Sequence, residues 1–206
     1  MPVLRISLMC FFTLFLTITQ SGCTVIFQKG RRLEVEKISS LKSELNELER
    51  AKKELEDRLD SEITDKQVKV EMLEKGLVIT FVADVLFDSG KAVLRTDSLE
   101  KLHKVSNVIQ EVVPDLGIGI EGHTDNEPIK RSGWTSNWEL SSARALSVVH
   151  YLIEKNVRPG RLAAIGYGEY RPVAGNELGE GRQRNRRVEI VILPHATKVV
   201  SESVNQ

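Results

Sequence analysis

One stretch, residues 118–152, constrains the fold and the chemistry of this chain more than any other. Apolar residues and glycines are followed by a polar loop and then by an apolar-periodic run, which predicts a strand, a loop and an amphipathic helix. Asp125 comes just after the strand, and Arg144 falls in the early turns of the helix. A carboxylate and a guanidinium that face one pocket suit a ligand carrying both an ammonium and a carboxylate. The stretch therefore predicts a site for a free amino-acid end.

The region around this stretch predicts an α+β domain over residues 67–194. Alternating apolar residues predict a hairpin at residues 68–82, and short apolar runs predict further strands at residues 162–165 and 186–193. Because strands and helices alternate along the chain, we expect a mixed sheet packed against helices on one side.

Two amphipathic helices are expected within this domain. Apolar residues at helical spacing predict the first, which Thr96 caps and Pro114 closes. Asn137 is a good capping residue and is expected to begin the second helix, whose buried stripe leaves Arg144 at its edge. The stem of Arg144 can then pack while its guanidinium faces a cleft. Residues 195–206 are expected to form a flexible tail.

Composition argues against several classes of function. The 206 residues include 29 basic and 29 acidic side chains, and a formal charge of zero argues against a nucleic-acid binder. Both cysteines, Cys10 and Cys23, lie near the N-terminus, so the domain has no intramolecular disulfide and no thiolate metal site. The four histidines show no metal-ligand spacing. We therefore expect neither a metal nor a cofactor.

The N-terminus predicts an export signal. Arg5 precedes an apolar run over residues 6–18, which is typical of a signal-peptide core and short for a helix that crosses a membrane. The run leads through small residues to Cys23, and this pattern resembles a bacterial lipobox. The resemblance implies a signal peptide over residues 1–22 and acylation of Cys23, which would anchor the chain in a membrane.

The residues beside Cys23 leave a second possibility open. In lipoproteins of this kind, a residue other than Asp after the cysteine implies sorting to the outer membrane, and here that residue is Thr24. The predicted location is therefore the periplasmic face of the outer membrane. Gln20 departs from the usual lipobox, however, and residues 25–27 extend the apolar segment. An uncleaved signal anchor is the alternative.

A helical spacer is predicted over residues 23–66. Between Ile38 and Leu59, apolar residues at alternating steps of three and four form a heptad seam, with Lys52 at one core position. The seam over residues 38–59 favours a homo-oligomeric coiled coil, while a solvated helix that acts only as a spacer is the alternative.

Several short motifs in the domain resemble the OmpA-like peptidoglycan-binding domain, the family that includes OmpA, MotB and Pal. The similarity runs from about residue 68 to residue 193. It rests on the order and spacing of Phe87-Asp88-Ser89-Gly90, Gly122-His123-Thr124-Asp125, Asn137, Leu140-Ser141, Arg144-Ala145 and Asn185-Arg186-Arg187-Val188.

This resemblance implies a binding protein and not an enzyme. The family binds the diaminopimelate of peptidoglycan stem peptides without cutting it. By resemblance, Asp125 takes the ammonium and Arg144 the carboxylate at the same end of that ligand. Asn137 is similar to the asparagine that fixes the loop, and Arg187 to the arginine that supports the pocket from the last strand. The ligand-binding residues implied are Asp88, Thr124, Asp125, Asn137, Arg144 and Arg187.

The interval between Asp125 and Asn137 is longer than in the commonest members, and is similar to that of the flagellar stator branch of the family. A stator subunit carries an acidic proton site in its membrane helix, but residues 6–27 contain no Asp or Glu. We therefore expect a wall-binding protein that conducts no protons. A structural subunit of an envelope machine remains the alternative.

Some of these residues also have simpler interpretations. Asp125 and Arg144 could form only an internal salt bridge. His123 lacks an evident third ligand for a metal, and no Gly-x-Ser-x-Gly elbow supports a serine triad, so a hydrogen-bonded structural histidine is expected. Trp134 and Trp138 could stack on sugar rings, although packing within the loop is the simpler expectation.

Overall fold

The computed structural model describes residues 21–129 and 133–195; within these ranges the side chains of residues 21–31 and of residue 33 are not described. The predicted signal-peptide core lies outside the described residues, as does all of the predicted tail except His195. The chain divides into two compact units, Met1–Leu45 and Asn46–Gln206. The second unit therefore begins about twenty residues before the expected boundary at residue 67.

The elements follow one another in the order expected for an α+β domain. They are α1 (Ser21–Arg58), α2 (Asp60–Thr64), β1 (Val68–Leu73), β2 (Gly76–Val82), α3 (Ala83–Leu86), a 3-10 turn (Thr96–Ser98), α4 (Leu99–Glu111), β3 (Gly117–His123), α5 (Asn137–Glu154), a second 3-10 turn (Pro159–Arg161), β4 (Leu162–Gly168), α6 (Gly179–Asn185) and β5 (Arg187–Leu193).

The five strands form one mixed sheet, as predicted, and their order in it is β1-β2-β5-β3-β4. β3 pairs with β4 in parallel, and the other pairs are antiparallel. Strands alternate their side chains between two faces, so Ile118 and Ile120 of β3 share a core with Val188 and Ile190 of β5. The intervening residues, among them Glu121, point to the opposite face. This alternation decides which charged residues can reach a given site.

The predicted coiled-coil seam divides into two parts. Leu48, Leu55 and Leu59 are fully or almost fully buried in the core of the second unit, and Ala51, not Lys52, fills the intervening core position. In the first unit, by contrast, Ile38 and Leu41 of the same helix are exposed, and so is Leu45. The expectation of one continuous seam over residues 38–59 is therefore wrong, because the domain itself buries the C-terminal half.

Both predicted helix caps were misplaced. Ser136 caps α5, because its hydroxyl accepts a hydrogen bond from the Glu139 amide, while the Glu139 carboxylate accepts one from the Thr135 amide at 2.9 Å. Asn137 is thus the first helical residue, and its side chain is available for other contacts. Thr96 begins a 3-10 turn, and α4 follows without a side-chain cap.

Among the helices that the structure describes, none combines the length and apolarity needed to cross a membrane.

A charged cleft as the candidate functional site

A cleft of about 1020 Å³ opens where the end of β3, the first turns of α5 and the start of β5 meet the loop after α3. Glycines let these elements come close together. A Cβ at Gly122 would overlap the Ser141 carbonyl of α5, and one at Gly166 would overlap Ser142. The close packing brings together the charged and polar residues that line the cleft, among them Asp88, Thr124, Asp125, Asn137, Arg144 and Arg186.

Arg144 is a buried cation in this cleft, and only 4% of it is exposed. Its Nε donates to the Lys91 carbonyl at 2.9 Å, its Nη2 makes a longer contact of 3.5 Å with the Asp88 carbonyl, and its guanidinium lies over the Phe87 ring. Among the described residues, no carboxylate lies within 4.0 Å of it. Desolvation lowers the pKa of Arg144 to about 10, so the side chain stays charged at neutral pH.

Asp125 is also buried, but its partner is Arg186. One carboxylate oxygen accepts from Arg186 Nη1 at 2.8 Å, and the other accepts from the Glu127 amide at 3.2 Å. The two charges predicted from sequence therefore line one cleft without pairing with each other, and the alternative of an internal Asp125–Arg144 salt bridge is wrong.

Arg186 is the cleft residue that the sequence analysis missed. It bridges Asp125 and Asp84, with 3.2 Å between its Nη2 and the Asp84 carboxylate. Burial lowers the pKa of Arg186, but the hydrogen bonds to Asp125 and Asp84 outweigh this and raise it overall. Arg186 therefore holds the Asp125 carboxylate in place.

The assignment of Arg187 to the pocket is wrong. Arg187 is the first residue of β5 and points to the other face of the sheet, where its Nε donates to the Glu189 carboxylate at 2.6 Å. Its remaining bonds are to the Asn185 and Arg171 carbonyls. The sequence signal that separates Arg186 from Arg187 is the alternation of a strand, which sends neighbouring side chains to opposite faces.

Asn137 ties the loop to the cleft. Its Nδ2 lies 3.3 Å from the Asp125 carbonyl, 3.2 Å from the Glu127 carbonyl and 2.7 Å from the Glu169 carboxylate. These contacts hold the backbone around Asp125 against the turn that follows β4.

Thr124 and Asp88 occupy different parts of the cleft. Thr124 is buried, and within the described part of the chain its hydroxyl has no hydrogen-bond partner. Asp88 lies at the rim with an exposed carboxylate, whose pKa is lowered mainly by a hydrogen bond from Lys91 and further by Arg95. Among the described residues, the Thr124 hydroxyl is therefore unpaired, whereas the Asp88 carboxylate is already paired with Lys91 and Arg95.

His123 lies on the opposite face of the sheet from this cleft. The sequence shows no evident third ligand beside His123, but in the fold the side chains of Glu121 and Glu189 lie close to its ring. Lys75 Nζ lies 2.7 Å from Glu121 and 2.5 Å from Glu189, so these carboxylates already hold an ammonium of the protein. The His123 ring stacks on Tyr167, and its nitrogens have no hydrogen-bond partner among the described residues. Desolvation lowers the pKa of His123 and favours the neutral ring.

A mixed five-stranded sheet packed against helices, with a charged cleft at the end of β3, defines an α+β domain. The model of the OmpA family matches residues 86–186, which include every cleft residue named above except Asp84. The cell wall anchor of the type VI secretion system of Pseudomonas aeruginosa is 36% identical, with a TM-score of 0.63, and the match covers 68% of this chain and 96% of that one. This chain therefore belongs to the OmpA family.

The chain is also similar to two proteins of Bacillus subtilis and to one further solved domain. Motility protein B of Bacillus subtilis is 41% identical over 157 residues, which cover 76% of this chain and 60% of that protein. Protein YtxE of the same organism, which is uncharacterized, is 36% identical over 77% of this chain and 66% of its own length. The periplasmic domain of Helicobacter pylori MotB is 27% identical with a TM-score of 0.60, over 64% of this chain and 84% of that domain. The chain thus spans about two thirds or less of the first two relatives.

Proposed function

We propose that this chain binds peptidoglycan non-covalently, by holding the free amino-acid end of diaminopimelate in a stem peptide, and that it catalyses no reaction. The observation that carries the proposal is Arg144, a buried guanidinium that lines a cleft without a carboxylate partner among the described residues. A buried charge is costly unless another group compensates it. A ligand carboxylate would supply that compensation.

The hydrogen bonds around Arg144 and Asp125 support a separate partner for each end of the ligand. Backbone carbonyls engage Nε and Nη2 of Arg144, while Nη1 has no bond to the described residues and can donate to a ligand carboxylate. Each carboxylate oxygen has two lone pairs, so Asp125 can accept from a ligand ammonium while it remains bound to Arg186. The Thr124 hydroxyl is a third polar group available in the same cleft.

The test compares two stem peptides by calorimetry with the purified full-length chain. One peptide carries diaminopimelate at its third position, and the other carries lysine, which lacks the distal carboxylate. We expect binding of the first only, and we expect Arg144→Ala to weaken it by about 2–5 kcal/mol. Arg144→Lys should also weaken binding, because lysine cannot form a bidentate contact.

Asp125→Asn should weaken the same interaction by removing the charge that holds the ammonium. Arg158→Ala is a suitable control, since it removes an exposed guanidinium that pairs with Asp115. Equal binding of the two peptides, or unchanged co-sedimentation of both cleft variants with cell-wall sacculi, would exclude the assigned site.

We further propose that the N-terminal region tethers this domain to a membrane. The lipobox-like residues before Cys23 support acylation and an outer-membrane location. The similarity to motility protein B supports the second candidate, a structural subunit of an envelope machine with an uncleaved N-terminal anchor. Mass spectrometry of the mature N-terminus decides between them, since acylated Cys23 supports the first and an intact Met1 the second. We also expect that the chain conducts no protons, because residues 6–27 contain no Asp or Glu.

A further inference from the structure

Two large aromatic side chains form an exposed pair beside the cleft. The rings of Trp138 and Tyr170 stack with their centroids 5.1 Å apart and an interplanar angle of 23°. Yet 47% of Trp138 and 64% of Tyr170 remain exposed. Burying apolar area is favourable, so a clustered pair of rings left in water marks a surface suited to a ligand. We call this pair the aromatic platform.

The aromatic platform is built from the same elements that shape the cleft. Trp138 follows Asn137 in the first turn of α5, and Tyr170 follows Glu169 in the turn after β4. Asn137 donates both to the Glu169 carboxylate and to the Asp125 carbonyl. The platform is therefore held at the rim of the cleft by contacts that also position Asp125.

Close backbone packing fixes this arrangement. Gly168 has a positive φ of 55°, and a Cβ on it would lie 3.4 Å from the Trp138 amide nitrogen. The Gly168 carbonyl accepts from the Thr124 amide at 2.9 Å, and its amide donates to the Ser141 hydroxyl at 3.0 Å. The end of β4 therefore links the cleft to the base of the platform, and neither ring belongs to a free loop.

We propose that the aromatic platform holds a sugar ring of the glycan strand to which the bound stem peptide is attached. The proposal rests on the proposed function, because it is the peptide in the cleft that brings the glycan to this surface. The C–H groups on one face of a pyranose carry partial positive charge and suit the negative face of an aromatic ring. Glu169 precedes Tyr170, and its carboxylate, which already accepts from Asn137, can accept a further hydrogen bond from a sugar hydroxyl.

A saccharide fits this position better than an unrelated protein does. An occupant covalently joined to the ligand of the neighbouring cleft gains from a high effective concentration, so one or two ring contacts suffice to increase the affinity. The platform would thus make the protein prefer peptide on its glycan to free peptide, although the cleft contacts are the same in both.

The test uses the purified full-length chain and two ligands that share one diaminopimelate-containing tetrapeptide. One is the free peptide, and the other is the same peptide on its N-acetylglucosamine–N-acetylmuramic acid disaccharide. In calorimetry we expect the second to bind about three- to tenfold more tightly. Trp138→Ala and Tyr170→Ala should each reduce that ratio towards one and leave the affinity for free peptide unchanged. Leu146→Ala, an equally exposed position on α5, should change neither value.

Each other outcome contradicts the inference in a recognisable way. If the native chain binds both ligands equally, the platform does not hold the glycan and is left for another occupant, such as a protein. If Trp138→Ala weakens both ligands alike, the ring acts through Asn137 and not through a sugar. If neither ligand binds the native chain, the proposed function fails together with the inference. Tyr170→Ala should fold normally, because most of that side chain is exposed, so a loss of the glycan preference in this variant cannot be attributed to unfolding.

Discussion

The chemistry of the cleft depends most on Arg144. Two backbone carbonyls and the Phe87 ring fix the plane of its guanidinium, and burial removes the water that would otherwise solvate it. The lowered pKa records the cost of this burial, which a nearby carboxylate would offset. Asp125 has such compensation from Arg186, so the two halves of the site are not equivalent. Under the proposed function, the half around Arg144 is therefore the one in which a ligand carboxylate would supply the missing compensation.

The burial of His123 predicts that the stability of the protein depends on pH. Burial lowers its folded-state pKa below 6.5, so below that pH the unfolded chain binds a proton that the folded chain does not. The free energy of unfolding should therefore fall as the pH falls from 7.5 to 5.5, by at most about 1.4 kcal/mol per pH unit from this residue. Urea unfolding at several pH values measures the slope.

The variant His123→Gln should reduce this slope, because glutamine does not titrate. His103→Gln is the matched control, since it replaces a histidine that is exposed on α4. Glu121 and Glu189 do not account for the same window. Despite burial, hydrogen bonds lower the pKa of both carboxyls below 4.5, so their contribution to stability is lost only at lower pH. An unchanged slope in His123→Gln would contradict the assignment.

For single residues, local sequence patterns predicted which side chains line the cleft better than they predicted the ion pairs that those side chains form. Asp125 follows β3 and Arg144 lies on α5, and both do line one cleft. Their lack of a mutual ion pair could not be predicted, because it depends on Arg186, which approaches from β5 across the sheet. Arg186 and Arg187 are adjacent and identical in type, so only the register of β5 distinguishes the arginine in the cleft from the one that pairs with Glu189.

Helix α1 shows the same limit for a whole element. A heptad spacing identifies the face of a helix that is buried, but it does not identify what buries it. From Leu48 onward that face packs into the core of the second unit, whereas Ile38 and Leu41 in the first unit remain exposed. Sequence periodicity is continuous across this division, which is why one coiled coil was predicted over both parts.

This division predicts a large loss of stability for one leucine of α1 and a negligible change for another. Leu55→Ala should lower the free energy of unfolding by about 2–5 kcal/mol, because it removes a fully buried side chain from the core. Leu41→Ala should change it by less than about 0.5 kcal/mol, because Leu41 is 43% exposed. Urea unfolding at a protein concentration low enough to avoid self-association measures both. Similar losses in the two variants would show that the seam is not divided.

The exposed part of α1 is the surface that remains for self-association. If Ile38, Leu41 and Leu45 meet a second copy, Leu41→Lys should shift the chain towards monomer, because a charge at a core position is costly. Sedimentation equilibrium of the full-length chain measures the change. Val93→Lys, at a more exposed apolar position outside α1, is the control and should not alter the mass. A monomeric native chain would leave α1 with the role of spacer.

For the molecule as a whole, the proposal requires separate contributions from its two units. The charged cleft that we propose as the binding site lies in the second unit, whereas the proposed anchor lies in the first. The formal charge of zero gives the whole protein no general attraction to an anionic wall polymer. Capture of peptidoglycan should then depend on the local charges of the cleft and on the distance that the N-terminal region allows between membrane and wall.

A deletion in α1 tests whether this distance limits the capture of peptidoglycan. Residues 21–45 are helical throughout, so deleting residues 30–43 should shorten a straight helix by about 21 Å and keep the heptad phase of the remainder. In cells, we expect this deletion to reduce the fraction of the protein that formaldehyde crosslinks to peptidoglycan. The purified variant should still bind the stem peptide with native affinity, because the cleft is unchanged. Replacing the same fourteen residues with an unrelated helical sequence of equal length should restore crosslinking, since reach depends on length. If that replacement fails, residues 30–43 make a specific contact, and the spacer interpretation is wrong.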